Sequence, residues 1–355
     1  MKKLSVCVLF GGISPEHEVS LRSAESVLNH MDKDKYNIFP VGITKEGDWI
    51  LFAGTDYSML PAGTWLTCEG NRRAAISPVR GQGLLCFEGD CVVRERIDVV
   101  FPVLHGENGE DGAMQGLLNL AGIPYVGPHV AASAVAMDKT LTKLVLDEAG
   151  IPQAAWQLVH TCDLETRMDR IVEQLEAKFE YPMFVKPAGT GSSVGVSKAA
   201  DREKLVQALK FAGQYDVKIL VEEFINGREI EVAVMGNENP VASECGEIDS
   251  GAEFYDYDAK YITDTSRAYI PARIDSEVGE RVRELAVQAY KAIGCEGLSR
   301  VDFFVTHGDH RPVFNEINTL PGFTSISMYP KLFDYSGIPY GELIDRLLEL
   351  AVEAG

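Results

Sequence analysis

The sequence predicts an open α/β sheet at the N-terminal end, followed by α+β structure. Three observations carry this. Strand and helix signals alternate over residues 1–127, strands follow strands closely from about residue 217, and 355 residues are enough for two or three domains at ~100–200 residues each. Residues 4–10 (LSVCVLF) are a nearly unbroken apolar run, the pattern of a strand buried on both faces. A Gly11-Gly12 turn leads into a helix expected to start at Ser14-Pro15, with Glu16 and Glu18 in its first turn and Leu21, Ala24, Leu28 and Met31 on one face. Further strands are expected at 37–43 and 97–104, a helix over 112–121 stopping at Gly122, and a short strand at IPYVG. Residues 50–96 are less regular and read as an excursion from the sheet.

A second unit is expected from about residue 128. It opens with one helix over 130–149, ending at Gly150 with Pro152 just beyond. Strands follow at 181–187 and VGVSK, with a helix near 201–213. The runs VKILVEEF, REIEVAVM and PVASECGEI then read as strands, the helix over 275–293 carries Val278, Val282, Leu285, Ala289 and Ile293 on one face, and strands at 299–305 and 312–317 precede a helix near 340–353. Such closely spaced strands favour antiparallel pairing.

Composition narrows the function classes. Apolar residues make up 46% and charged residues 24%, which excludes disorder, collagen and coiled coil. No run approaches the ~18 apolar residues of a membrane span. Met1-Lys2-Lys3 leads straight into the first strand, and Gly11-Gly12 with the charged helix beyond does not resemble a cleavage site, so a cytoplasmic protein is expected. Seven cysteines without a CxxC pair suggest reduced thiols. The excess of 53 acids over 33 bases disfavours nucleic acid and anionic membranes as partners. An anionic ligand would therefore need locally gathered positive charge.

Four segments can carry chemistry. KPAGTGSSVGVSK (186–198) combines glycines, hydroxyls and a lysine at each end, and no acid. Glycines let successive backbone N–H groups converge on an anion, although a plain hairpin turn would use the same residues. It lacks the GKS/T ending of a P-loop. SRVDFF (299–304) and VFNEINTLPGF (313–323) place Arg300 with Asp302, and Glu316 with Asn318, on shared strand faces. If the two strands pair, three oxygen ligands and a guanidinium converge in a set that suits Mg²⁺. HGENGEDG (105–112) follows a strand, where α/β folds bind ligands, but also suits a turn and helix start. EFYDYDAKY (253–261) fits neither period and could be a loop that orders over a ligand.

In order along the chain, GGISPEHEVSL, HGENGEDG, MDK, KPAGTGSSVGVSK, YDYDAKY, SRVDFF and NEINTLPGFTSISMYP resemble the D-alanine–D-alanine ligase family of ATP-grasp enzymes. The resemblance implies an ATP-grasp fold with an N-terminal open α/β (Rossmann-like) domain. Its divisions would be a substrate domain over 1–127, a central subdomain over 128–225 and a C-terminal subdomain over 226–355 holding metal and substrate residues. ATP would bind between the last two, and the family habit is a homodimer. The implied reaction joins two D-alanines through a D-alanyl phosphate, for peptidoglycan precursor synthesis in cell wall biogenesis.

The resemblance also implies roles. Lys139, Lys186, Ser192 and Ser193 would grip the ATP phosphates; Glu222, Glu223, Phe224 and Ile225 would form the adenine hinge; Glu229 would hold the ribose. Asp302, Glu316 and Asn318 would hold Mg²⁺, two ions with Mn²⁺ able to substitute. Glu16 would accept the first D-alanine's ammonium with His105 close by. Arg300 and the Gly322 N–H would stabilise the oxyanion, while Ser327 and Lys260 would hold the second carboxylate beside Met328. Glu16, Ser192 and Tyr261 would form a hydrogen-bonded set over the substrates. The alternatives are D-serine or D-lactate as second substrate, or a nucleotide-binding regulator without catalysis. On this reading Lys139, Lys186, Lys260, Arg300 and bound Mg²⁺ would meet the ATP polyanion, gathered where acids are few or metal-bound, and the surplus acids would lie on outer surfaces.

Overall fold

The computed structural model describes residues 3–191, 194–249 and 267–355. Among these, three sheets surround a common cleft. The first contains β1 (Leu4–Gly11), β2 (Tyr36–Ile43), β3 (Trp49–Leu51), β4 (Arg72–Ile76), β5 (Leu84–Glu88), β6 (Cys91–Glu95) and β7 (Val99–Leu104), in the order β6-β5-β4-β3-β2-β1-β7. The apolar run of β1 is central and parallel to both β2 and β7, and Val6 to Phe10 are fully buried. Residues 50–96 are not an excursion: β3 to β6 continue the same sheet as an antiparallel meander from the edge of β2. These strands span only three to five residues each, and β6 is mostly exposed, so they lack a readable alternation. IPYVG forms no strand, only a parallel bridge between Tyr125 and Val100.

Gly11 closes β1 with φ +85°, and a Cβ there would lie 2.2 Å from the Ile43 carbonyl oxygen, so only glycine permits this turn. α1 (His17–His30) starts later than expected, leaving Glu16 as its N-cap residue and not in its first turn. Its Leu21, Ala24 and Leu28 bury against β1 and β7. α2 (Ala113–Ala121) ends at Gly122, which is left-handed as a helix-terminating glycine should be.

The expected 130–149 helix is two helices. α3 (Val130–Met137) and α4 (Lys139–Glu148) meet at Asp138, whose backbone is extended (φ −90°, ψ 100°). Its carboxylate accepts from the Thr140 and Leu141 N–H groups at 3.0 and 3.2 Å, so a capping aspartate restarts the helix inside a run that keeps helical periodicity on both sides. β8 (Trp156–His160) and α5 (Thr161–Lys178) occupy a stretch where the sequence analysis placed no element. With β9 (Met183–Pro187), β10 (Ser197–Ala199), α6 (Arg202–Ala212) and β11 (Lys218–Glu223) they form an antiparallel sheet ordered β10-β9-β11-β8. Met183, Val185, Ile219 and Val221 pack against α5 and α6, and period-two alternation therefore turns Phe184, Lys186 and Glu222 to the opposite face.

The third sheet runs β15-β14-β12-β16-β17, from β12 (Gly227–Met235), β14 (Gly246–Asp249), β15 (Arg267–Tyr269), β16 (Leu298–Thr306) and β17 (Pro312–Asn318), with β13 (Val241–Ala242) added beside β12. Ile230, Val232, Val301 and Phe303 pack on α7 (Ser276–Ile293), leaving Glu231, Arg300 and Asp302 on the other face. β17 pairs Arg300 with Asn318 and Asp302 with Glu316, then slips by one residue so that Phe303 meets Phe314. That bulge lets Phe314 join the α7 core while Glu316 and Asn318 line the cleft. α8 (Met328–Tyr335), also unanticipated, and α9 (Tyr340–Ala354) pack with α1 and the first sheet in a shared core. No helix among the described residues is long and apolar enough to cross a membrane. All seven cysteines are free thiols.

Candidate active site

The cleft has a volume of roughly 1720 Å³ and is lined from all three sheets. At its middle-sheet end, α4 supplies two lysines one turn apart. The Lys139 ammonium donates to the Thr190 carbonyl (2.6 Å), at the base of the Gly/Ser loop. The Lys143 ammonium, almost fully buried, lies 2.6 Å from Glu222 Oε1, and Lys186 lies 2.7 Å from Glu222 Oε2. Burial alone would raise the Glu222 carboxyl, but the Lys186 and Lys143 charges outweigh it and hold it down at about 2. The loop is anchored further by Asp216, which accepts from the Gly189 N–H at 2.6 Å.

At the end of β11 the Glu223 carboxylate accepts from the Ala155 N–H (2.7 Å), and Phe224 and Ile225 just beyond it edge the cleft. The Phe224 ring stacks on Phe184 with centroids 6.0 Å apart, and the Lys198 ammonium lies 4.7 Å from its centroid. Glu229, opposite Phe304 in the ladder, lines the same end.

At the third sheet the Arg300 guanidinium donates from Nε and Nη2 to Asp302 Oδ1 and Oδ2, at 2.8 and 2.7 Å. Glu231 Oε2 sits 3.3 Å from Nε. Burial opposes the charge on Arg300, but Asp302 and Glu231 outweigh burial and keep it a cation. Asn318 Nδ2 donates to Asp302 Oδ2 (3.1 Å), which turns its Oδ1 the other way. Asp302 lies buried behind Arg300, while Glu316, its partner across the ladder, reaches the lining. Among the described residues no group of three or more His, Cys, Asp or Glu side chains is placed to hold a metal ion. Two carboxylates and an amide are nevertheless hard oxygen donors of the type Mg²⁺ takes, and Mg²⁺ ordinarily completes its shell with water and phosphate oxygens.

The first sheet supplies the remaining wall. Gly106, at φ +67°, approaches Glu16 so closely that a Cβ would lie 2.7 Å from Glu16 Oε2, and Gly191 of the Gly/Ser loop approaches the same oxygen. His105 donates from Nδ1 to the Leu320 carbonyl (3.0 Å), with Nε2 3.4 Å from Ser23 Oγ; burial, against a smaller opposing pull from Glu16, pushes the imidazole down and leaves it neutral. Glu110 accepts from the Gly106 N–H (2.9 Å), and burial followed by the nearby Glu16 pushes its carboxyl up to about 8. On the opposite wall Ser327 Oγ accepts from the Thr324 N–H (3.0 Å) and would lie 2.8 Å from a Cβ on Gly322. Met328 opens α8 and packs its Cε over Gly246.

Thus Glu16, His105, Lys139, Lys186, Glu222, Glu223, Phe224, Ile225, Glu229, Arg300, Glu316, Asn318, Gly322, Ser327 and Met328 line one cleft, with Asp302 directly behind. Ser192, Ser193, Lys260 and Tyr261 lie outside the described residues. Lys143, Glu110 and Glu231 were not singled out in the sequence; Glu110 lay within HGENGEDG, but nothing there distinguishes the acid that turns inward. The cleft is not a basin of positive charge: along its described lining acidic side chains outnumber lysines and arginines, and several of them are paired with one another.

Comparison with known proteins identifies the family. The family model described as D-ala D-ala ligase N-terminus matches residues 5–128, and that described as D-ala D-ala ligase C-terminus matches residues 145–349. The D-alanine–D-alanine ligase of Caldicellulosiruptor bescii is 51% identical over 354 residues, covering 99% of this chain and 96% of the relative. That of Acetivibrio thermocellus is 50% identical over 363 residues, with 99% and 96% covered. Among solved structures, the VanG D-Ala:D-Ser ligase from Enterococcus faecalis superposes with a TM-score of 0.90 at 38% identity, covering 99% of this chain and 100% of that one. The D-alanine–D-alanine ligase from Coxiella burnetii gives 0.85 at 36% identity, with 100% and 95% covered. The fold is that of the ATP-grasp ligases. The chain belongs to the D-alanine–D-alanine ligase family.

Proposed function

We propose that this protein is an ATP-dependent ligase that joins two D-alanines into D-alanyl-D-alanine, a peptidoglycan precursor. The observation that carries the reading is the convergence of Arg300, Asp302, Glu316 and Asn318 on adjacent strands, facing Lys139 and Lys186 across one cleft. A regulator without catalysis would have no need of a buried guanidinium held in this way.

ATP lies between the second and third sheets, its adenine against the Phe224-Ile225 backbone, its ribose near Glu229 and its phosphates toward Lys139, Lys186 and the Gly/Ser loop with Ser192 and Ser193. Asp302, Glu316 and Asn318 are the residues that would hold Mg²⁺, which would supply charge neutralisation for the phosphates. The first D-alanine places its ammonium at Glu16, beside the neutral His105. Its carboxylate oxygen attacks the γ-phosphorus as the bond to ADP breaks. The amine of the second D-alanine, held through its carboxylate by Ser327 and Lys260 with Met328 alongside, then attacks the acyl carbon, and the C–O bond to phosphate breaks. Arg300 and the Gly322 N–H stabilise the tetrahedral oxyanion. Glu16, Ser192 and Tyr261 close over the substrates, keeping water from the acyl phosphate. Three domains (1–127, 128–225 and 226–355), a homodimer and a cytoplasmic location belong to the same proposal.

Purified protein with ATP, Mg²⁺ and D-alanine should release phosphate and form the dipeptide; phosphate release without dipeptide would reject the ligase reading. A second reading, D-serine as the second substrate, has support in the 0.90 TM-score to a D-Ala:D-Ser ligase. The higher identity of relatives named D-alanine–D-alanine ligase favours the first.

A further inference from the structure

α4 presents Lys139 and Lys143 on one face, four residues apart. Lys139 reaches the Gly/Ser loop and lines the cleft; Lys143 does neither. Its side chain is 3% exposed and ion-paired with Glu222 at 2.6 Å, while the same carboxylate reaches Lys186 at 2.7 Å with its other oxygen. A buried ammonium is costly, and an apolar side chain of similar volume would fill the space at no such cost. The charge at position 143 therefore calls for a reason other than packing. Of Lys143, Glu222 and Lys186, only Glu222 and Lys186 line the cleft.

We propose that Lys143 is a positioning residue for nucleotide binding: from beneath the cleft it fixes Glu222 Oε1, so that Oε2 orients the Lys186 ammonium toward the phosphates. The inference deepens the assignment of this cleft to ATP and rests on it. Without the Lys143 charge, Glu222 Oε1 loses its counter-ion and draws Lys186 across both carboxylate oxygens, away from a ligand.

The test is ATP affinity by calorimetry with Mg²⁺ present, alongside steady-state kinetics, for the unmodified chain, Lys143→Met and Lys143→Arg. Lys143→Met should weaken ATP binding and raise the KM for ATP by about tenfold or more, with kcat at saturating ATP within about threefold and the KM for D-alanine unchanged. Lys143→Arg should recover most of the affinity. A Lys143→Met protein with unaltered ATP affinity would overturn the proposal, as would an arginine variant as impaired as the methionine one. Should Lys143→Met not fold, Lys143→Gln keeps a donor beside Glu222 without the charge and must show the same ATP-specific loss. Failure of the unmodified chain to bind ATP would instead reject the assignment of the cleft.

Discussion

Arg300 is the residue on which the proposed chemistry turns. Two carboxylates, Asp302 and Glu231, hold its guanidinium in one orientation, and a lysine cannot reproduce the two-pronged contact. Arg300→Lys should lower kcat by about 10²-fold while leaving ATP affinity within about threefold. Collapse of ATP binding with kcat preserved would show the role to be misassigned. Glu110 makes a pH-dependent prediction. Its carboxyl rises from an ordinary 4.5 to about 8 in the folded chain, so over that window the folded state binds more protons than the unfolded state. Its contribution to stability is thus complete below the lower value and is lost as pH rises toward the upper one. Glu110→Gln should flatten the decline in denaturation midpoint between those pH values; an equally steep decline would contradict the assignment. The sequence showed Arg300 and Asp302 as chemistry because local alternation puts them on one face. It could not show Lys143, whose meaning depends on Glu222 in a distant strand, nor Glu231, whose role depends on the β12–β16 pairing.

At the level of elements, long and strongly periodic segments were legible and broken or short ones were not. α7 was readable because its apolar stripe runs its whole length, and the polar faces of β16 and β17 because both strands alternate, although their pairing entered only as a condition. The bulge between Asp302 and Phe303 was not, since it depends on which side of the sheet α7 covers. The break between α3 and α4 escaped because helical periodicity runs through Asp138. That residue caps α4 and pairs with Lys218, so it sets the position of Lys139 at the first turn. Asp138→Ala should cost about 1 kcal/mol through the lost cap alone and lower the thermal midpoint by a few degrees, together with ATP affinity. An unchanged midpoint and affinity would show that the cap has no such role.

Across the whole molecule, the net charge of −20 does not leave the cleft free of acids. Positive charge is instead held in place by neighbouring carboxylates: Lys186 by Glu222, Arg300 by Asp302 and Glu231, and Arg228 and Arg273 by Glu247. Such an arrangement orients cations before a polyanion arrives, at the cost of some attraction. ATP bridging two sheets should raise the thermal midpoint, and Mg²⁺ should enlarge the rise relative to ATP in excess chelator. An equal rise with chelator would contradict a metal held by Asp302, Glu316 and Asn318 beside the phosphates. The central claim is tested most directly by identifying the product formed from ATP, Mg²⁺ and equal concentrations of D-alanine, D-serine and D-lactate at neutral pH. The account predicts D-alanyl-D-alanine as the main product, with one phosphate released per dipeptide; D-alanyl-D-serine or D-alanyl-D-lactate as the main product, or no condensation, would contradict it.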